Sequence, residues 1–389
     1  MAPDARDELG TELRLLLELT ARRPGPTRIE SLLDRVDWHA LLAAAHAHGV
    51  ESWLAAAVER GGMGQPPAEV ARRLAQTRSD SVLFDRVSVV VLGALGGAFA
   101  RAGIPWLLLK GSGIAERLHQ DPSRRPAKDI DVLVRPEQLE HAIEILRGLG
   151  YEPQREDWYR RHHFHVPCTH PGRFVAATVE VHWDVTPPRY PVRFDTAGWW
   201  DGARRIELRA GPALVPPAAA ELAHLAWHAL NEGGATIARL ADIDRLCAAA
   251  GPAGTEQAFA AARAAGAAQF LRQALALCAA LWPGGETTPA PRPSRWLARR
   301  TWDAVGVVRR GQAGWWPLKH LAHWALVDGA DAGVGYLARR AVREVRRARA
   351  EEGLPPRRWD PLWVVAALAA GAGLCALTPR HPFLRRNEP

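Results

Sequence analysis

The sequence predicts an α+β fold, in which a small sheet with helices is flanked by N-terminal and C-terminal helical regions. Two observations lead to this prediction. Apolar residues recur at helical spacing from Glu8 to about Ala102, with Pro and Gly between the periodic stretches. Short apolar or β-branched runs then alternate with helical patterns, which is typical of a compact unit of strands and helices.

The same patterns divide the chain into four parts. A Pro- and Gly-rich stretch, "PGGETTPAPRPS", separates the last part from the rest and is a linker by composition. The 389 residues allow two or three domains of ordinary size. The four parts are an N-terminal helical region at 1–103, an α/β core at 104–210, a helical region packing on that core at 211–283, and a basic helical tail at 284–389.

Within the core, three runs are predicted strands and two are predicted helices. "IPWLLLKG" is too short for a typical helix, "DIDVLV" is a second apolar run, and "FVAATVEVHWDV" alternates and is β-branched. "SGIAERLHQ" follows the first strand as a helix. "PEQLEHAIEILRGLGY" begins with Pro and ends at Gly, which are helix start and stop signals.

The basic charge belongs to the C-terminal quarter. Residues 291–389 contain 18 Arg plus Lys and 8 Asp plus Glu, a balance of +10, so the first 290 residues carry about −2 of the net +8. Such a tail can contact a membrane surface, a protein or nucleic acid, and charge alone does not choose among them. Its apolar segment at 362–377 is either a buried or partner-docking helix or a membrane-associated tail, since it is shorter than a usual spanning helix.

Two features predict a cytoplasmic protein, with membrane association through the C-terminal segment as the alternative. The N-terminus is acidic where a signal peptide would have a basic start followed by an apolar run. The four cysteines lie far apart and include no CxxC pair, which favours reduced thiols over a disulfide framework or a zinc ribbon.

The pattern with the clearest chemistry is Asp129-Ile-Asp131 in the second predicted strand. Side chains at i and i+2 of a strand point to the same face, about 6 to 7 Å apart along the backbone. Two carboxylates so placed repel each other unless a cation lies between them, and Mg²⁺ binds through one or two carboxylates plus substrate phosphates. Paired ions can activate an attacking oxygen and stabilise a leaving one in phosphoryl-type transfer, so we expect two Mg²⁺ ions, with Mn²⁺ as a substitute.

A phosphate-binding turn is predicted before the first aspartate, with 16 residues between Ser112 and Asp129. Gly111 would let a phosphate approach the backbone, and the Ser112 hydroxyl and nearby N–H groups would hold it. Lys110 and Arg125 would add positive charge. These four residues are therefore the predicted nucleotide-binding set.

These motifs resemble those of a known family. Gly-Ser, then a helix, then Asp-apolar-Asp is similar to the nucleotidyltransferase superfamily that includes DNA polymerase beta and the aminoglycoside nucleotidyltransferases. "RRPAKDIDVLV" and "VEVHWDV" look more closely like an uncharacterised bacterial nucleotidyltransferase family found in gene clusters for exopolysaccharides or for peptide natural products such as lasso peptides. The similarity covers roughly Asp37 to Trp282.

The resemblance implies a polymerase beta-type sheet and a third carboxylate on a later strand, for which Glu180 is the match. Asp129, Asp131 and Glu180 would then be both the catalytic residues and the metal ligands. The implied reaction transfers a nucleoside monophosphate from an NTP, with ATP as the first choice, to an acceptor that the sequence does not identify. A non-catalytic scaffold that keeps the fold and joins a membrane or a protein complex is the alternative.

Two other polar clusters have simpler interpretations than a metal site. "RRHHFHVPCTH" matches no standard zinc spacing, so it is a polar rim of the site or a plain loop, and His163 and His182 are candidate rim residues. Asp242 and Asp244 repeat the Asp-apolar-Asp pattern in a helical context, where i and i+2 diverge. No nucleic-acid partner is expected, because the basic charge lies outside the core and no aromatic-rich RNA motif is present.

Overall fold

The structure is a computed structural model, and it describes residues 9–127, 129–171, 178–187, 190–231 and 235–283, together with Leu326. The described chain begins with the predicted helical region. Asp37 caps the third helix, because its carboxylate accepts from the backbone N–H groups of His39 and Ala40. Gly103, at φ 67°, ends the fifth helix in the left-handed conformation that glycine favours. These helices are α1 (Thr11–Thr20), α2 (Pro26–Leu33), α3 (Trp38–Ala47), α4 (Glu51–Glu59) and α5 (Ala68–Ala102).

A seven-stranded mixed sheet follows, with shorter helices between its strands. The strands are β1 (Trp106–Leu108), β2 (Asp129–Val134), β3 (Glu152–Pro153), β4 (His165–Thr169), β5 (Thr178–His182), β6 (Arg204–Leu208) and β7 (Gly211–Val215). The helices are α6 (Ser112–Leu118), α7 (Leu139–Gly148), α8 (Glu156–His162) and α9 (Thr196–Asp201). The strand order is β3-β4-β5-β2-β1-β7-β6. The predicted α+β class is confirmed.

The two faces of β2 have different neighbours. Ile130, Val132 and Val134 belong to a buried cluster with apolar residues of α5 and α7. Leu133 belongs to a second buried cluster, which contains the N-terminal helices and the helices that follow the sheet. Because strand side chains alternate, Asp129 and Asp131 lie on the same face as Leu133. The carboxylates therefore face away from α5 and α7.

Three helices follow the sheet among the described residues. They are α10 (Ala218–Asn231), α11 (Ile237–Ala264) and α12 (Ala268–Leu281). Apolar residues recur at helical spacing throughout residues 256–282, but the chain turns at Gly266, which has φ 72°. A second interruption lies at Gly251, φ 66°, where α11 is kinked just before Pro252.

The boundary predicted at residues 210 and 211 falls inside a hairpin. β7 pairs antiparallel with β6 and parallel with β1, so the sheet continues past residue 210. The division of the chain into domains stays a prediction. The predicted tail at 284–389, including the apolar segment at 362–377, lies outside the described residues except for Leu326. Among the described helices, α5 alone is long and apolar enough to cross a membrane by length and composition.

Candidate functional site

Three carboxylates meet on one face of the sheet. β2 and β5 are parallel neighbours, and their register places Asp131 opposite Glu180 and Asp129 opposite Thr178. One carboxylate oxygen from each of Asp129, Asp131 and Glu180 lies within 4.8 Å of the others. The structure therefore brings together the triad that the resemblance implied.

The Asp131 carboxylate is the most deeply buried of the three. The residue is 0% exposed, and its Oδ2 atom is buried without a hydrogen-bond partner in the described part of the chain. A buried carboxylate oxygen without a donor is costly, so it needs a cation or a ligand donor. This oxygen and the two neighbouring carboxylates supply the hard oxygen ligands that Mg²⁺ prefers. The residues present thus fit a divalent cation.

His182 joins two of these carboxylates. Its Nε2 atom lies 3.0 Å from Asp131 Oδ1 and 3.4 Å from Glu180 Oε2. Burial alone would lower the pKa of His182, but the hydrogen bonds to Asp131 and Glu180 raise it to about 9. Burial would likewise raise the pKa of Glu180, and the hydrogen bond from His182 outweighs that effect and lowers it to about 2. The predicted rim residue is therefore in direct contact with the triad.

A second histidine, His165, also faces the triad, although it was not among the predicted site residues. It lies on β4, directly opposite His182, and its Nε2 atom is 3.9 Å from Glu180 Oε1. Burial and the neighbouring His182 lower the pKa of His165 to about 2. The predicted rim residue His163 lies farther out, with its ring 5.5 Å from that of His165. In the sequence, the dense histidine run was the only signal that pointed to His163 and His165.

Asp129 has a higher pKa than an ordinary aspartate. Burial is the main cause, and the adjacent Asp131 carboxylate adds to it by repulsion. Lys110 acts in the opposite direction. The raised pKa therefore reflects burial first and the neighbouring Asp131 carboxylate second.

Lys110 lies against the carboxylates. Its Nζ atom is 3.2 Å from Asp131 Oδ1 and 3.0 Å from His228 Nε2 on α10. Burial and the positive charge of Lys110 lower the pKa of His228 well below its usual value, so the neutral imidazole accepts a hydrogen bond from the ammonium group. α10 thus fixes a lysine beside the triad, at the strand end where phosphate binding was predicted.

The Gly111-Ser112 turn follows immediately. Gly111 has φ 61° and ψ −120°, a conformation that glycine alone adopts readily. A Cβ atom there would lie 3.1 Å from the Cβ of Ala127 and 3.3 Å from the carbonyl oxygen of Asp129. Ser112 Oγ is buried and has no hydrogen-bond partner among the described residues. The turn therefore packs closely against the start of β2 and leaves one hydroxyl available for a ligand.

Arg125 has a partner that the sequence did not indicate. Its guanidinium group donates to Asp242 Oδ2 on α11, over 3.0 Å from Nε and 2.9 Å from Nη2. His119 Nε2 lies 2.9 Å from the other oxygen of Asp242. Asp244 pairs instead with Arg22, which confirms that the two aspartates diverge. Arg125 is thus held by α11, and its role in nucleotide binding stays a prediction.

Comparison with known proteins gives a result that agrees with this geometry. Residues 34–283, about two thirds of the chain, match the model of a family described as uncharacterised nucleotidyltransferases. This range contains the whole sheet, the carboxylate triad and the three helices after the sheet. A search of curated proteins found no match. The chain belongs to the uncharacterised nucleotidyltransferase family.

Proposed function

We propose that the protein is a Mg²⁺-dependent enzyme that transfers a nucleoside monophosphate from an NTP, with ATP as the first choice, to an acceptor hydroxyl. The observation that carries the proposal is the convergence of Asp129, Asp131 and Glu180 within 4.8 Å, with one buried oxygen that has no donor among the described residues. Family membership supports nucleotidyl transfer as the general reaction.

The metal ligands in this proposal are Asp129, Asp131 and Glu180. Two Mg²⁺ ions, or Mn²⁺ in their place, would neutralise phosphate charge and acidify the attacking hydroxyl when bound. The acceptor oxygen bonds to the α-phosphorus of the NTP, the bond from that phosphorus to the bridging oxygen breaks, and pyrophosphate leaves. Glu180 would help the acceptor hydroxyl to lose its proton, which passes on to solvent.

The remaining residues position the triphosphate. The ammonium group of Lys110, fixed by His228, supplies a positive charge next to the triad. Gly111 lets a phosphate approach the backbone, and the Ser112 hydroxyl donates to a phosphate oxygen. Positioning and charge neutralisation are enough to accelerate such a transfer, so no covalent enzyme intermediate is needed.

The resemblance suggests a place in natural-product biosynthesis of the lasso-peptide type, or in polysaccharide biosynthesis. The proposed acceptor is accordingly a sugar, a peptide, a protein or a small antibiotic-like molecule with a free hydroxyl. The reaction is tested with the protein, Mg²⁺, extract of the source cells and each NTP, labelled at the α-phosphate in one assay and at the γ-phosphate in a parallel assay. Transfer of the α-label with release of pyrophosphate is expected, whereas transfer of a γ-label would identify a kinase and contradict the proposal.

The competing function is a non-catalytic scaffold that keeps this fold and associates with a membrane or a protein complex. The observation that favours it is that Lys110 and His182 already neutralise Asp131 within the chain. Asp129→Asn distinguishes the two functions. The enzyme proposal expects label transfer to be lost in this variant, whereas a scaffold has no such transfer to lose.

A further inference from the structure

The imidazole rings of His165 and His182 approach Glu180 from two adjacent strands. β4 and β5 are antiparallel, and His165 is the register partner of His182. His165 Nε2 lies 3.9 Å from Glu180 Oε1, and His182 Nε2 lies 3.4 Å from Glu180 Oε2. Both imidazoles therefore direct the same ring nitrogen at one carboxylate.

The spacing of these atoms suits a bound metal ion. One ligand atom from each of His165, Glu180 and His182 lies within 4.8 Å of the others. Bonds of about 2.1 Å to one ion put neighbouring ligand atoms roughly 3 to 4.2 Å apart, and both measured nitrogen–oxygen separations fall in that range. Small side-chain rotations would bring the third pair into the same range.

The type of ligand distinguishes this group from the aspartates. Asp129 and Asp131 offer only oxygen, which suits Mg²⁺. Imidazole nitrogen suits transition metals, and a mixed set of two nitrogens and a carboxylate favours a transition metal over Mg²⁺. We propose that His165, Glu180 and His182 form a second cation position, which binds a divalent transition metal in preference to Mg²⁺.

The protonation of the two rings is compatible with this arrangement. The Nδ1 atoms of His165 and His182 are buried, and neither has a hydrogen-bond partner in the described residues. In the arrangement described, His182 Nε2 donates to Asp131 Oδ1, so an ion at this position would replace that proton. Each ring would then carry its remaining proton on Nδ1 and present the Nε2 lone pair to the ion.

Aromatic side chains surround the pair and limit its movement. The ring of Phe164 lies 5.0 Å from that of His165 and 5.7 Å from that of His182. The ring of Tyr159 lies 5.5 Å from that of His165. Such packing holds both imidazoles in one rotamer, which lowers the entropy lost when an ion binds.

The second position shares Glu180 with the proposed magnesium ligands. Its part in catalysis therefore rests on the proposed function, but its capacity to bind metal does not. A test by metal binding alone separates the two. If the histidine position binds metal and no NTP is ever used, the proposed function fails while this inference stands.

The test is a titration of the metal-free, full-length protein with Co²⁺, followed by visible absorption in the presence of excess Mg²⁺. We expect one equivalent of Co²⁺ to bind and excess Mg²⁺ not to displace it. His165→Gln should weaken Co²⁺ binding by at least about tenfold, because loss of a second-shell partner already costs that much at metal sites. His163→Gln is the matched control, since His163 touches the His165 ring but is not a ligand.

Two outcomes of the titration would overturn the inference. One is Co²⁺ binding that excess Mg²⁺ displaces, and the other is equal affinity in the wild type, His165→Gln and His163→Gln. A measurement on the wild type alone avoids any folding defect of a variant: with excess Mg²⁺ present, pulsed electron paramagnetic resonance of one equivalent of bound Cu²⁺, an ion that imidazole nitrogen suits, should detect coupling to imidazole nitrogen. A spectrum with no nitrogen coupling would place the ion among the aspartates and refute the histidine position.

Discussion

Asp242 shows how a single buried carboxylate ties the loop before the site to the helices after it. Its oxygens accept from Arg125 and contact His119, residues that lie 117 and 123 positions earlier in the chain. The Asp242 side chain is 7% exposed and that of Arg125 is 23% exposed, so solvent screens the pair only weakly. Removing one partner of a buried ion pair leaves an uncompensated charge.

We therefore expect Asp242→Asn to lower the free energy of unfolding by about 3 kcal/mol. Urea denaturation of the variant beside the wild type measures it. The matched control is Glu256→Gln, because Glu256 pairs with Arg263 at the surface, where both side chains are more than half exposed. Its effect should be below about 1 kcal/mol. Equal effects of the two substitutions would show that Asp242 is not a structural anchor.

His119 gives the protein a dependence of stability on pH. Burial lowers the pKa of His119, although its contact with Asp242 acts the other way. The unfolded chain, with a His pKa of about 6.5, then binds more protons than the folded one, so this contribution to stability is complete above about pH 6.5 and is lost as the pH falls below it.

Replacement of this histidine should flatten the acid side of the stability profile. The melting temperature of His119→Gln should fall less steeply than that of the wild type between about pH 6.5 and pH 5. Other histidines contribute to both profiles equally, so the difference in slope isolates His119. Parallel profiles would contradict its burial in the neutral form.

At the scale of elements, strands with strong local patterns were predictable and the others were not. β1, β2 and part of β5 follow apolar or β-branched runs. β4 contains Pro167, which argues against a strand in the sheet interior, and yet it pairs with both β3 and β5. β6 begins with two arginines. Pairing with neighbouring strands outweighs the weak strand preference of these residues. The sequence of one segment does not reveal which strands will be its neighbours.

The turn between β1 and α6 has the tightest backbone requirement near the site. Gly111→Ala places a Cβ against Ala127 and the backbone of Asp129, in a conformation that L residues rarely adopt. We expect it to lower the free energy of unfolding by roughly 1 to 3 kcal/mol and to weaken NTP binding. Thermal unfolding and nucleotide titration of the purified variant measure both effects.

Gly148 provides the control for that substitution. It lies at the end of α7, is exposed, and has no atom within 4 Å of the place that a Cβ would occupy. Gly148→Ala should raise stability by up to about 1 kcal/mol and leave nucleotide binding unchanged. If Gly111→Ala were equally harmless, the turn would not pack closely against the start of β2.

On the scale of the whole molecule, the core extends beyond the residues that match the family. Leu326 is 0% exposed and belongs to the same buried cluster as residues of α10, α11 and α12. Truncation of a fully buried leucine costs about 2 to 5 kcal/mol, so Leu326→Ala should destabilise the protein by that amount in urea denaturation. Leu83→Ala, on an exposed part of α5, should have little effect.

If both substitutions are equally mild, Leu326 is not part of the core. A strong effect of Leu326→Ala would show that the segment after residue 283 contributes to folding, whatever its function.

The site residues that lie in short sequence motifs were predictable. Asp129, Asp131, Gly111 and Ser112 lie in one stretch, and the structure places them together. Contacts such as Lys110 with His228 join residues 118 positions apart, and a single sequence without aligned relatives does not reveal them. Glu180 was found only through the family resemblance, because a lone Glu in a strand has no distinctive pattern.

We expect the carboxylate triad to bind an NTP together with Mg²⁺. Thermal unfolding with Mg²⁺ and each of the four NTPs, in the wild type and in Asp129→Ala/Asp131→Ala, tests it most directly. A ligand at about 100 times its dissociation constant should add roughly 2.7 kcal/mol to the stability of the folded state. We expect a Mg²⁺-dependent rise in melting temperature with at least one NTP, and none in the double variant. An equal rise in both proteins, or in neither, would contradict the account.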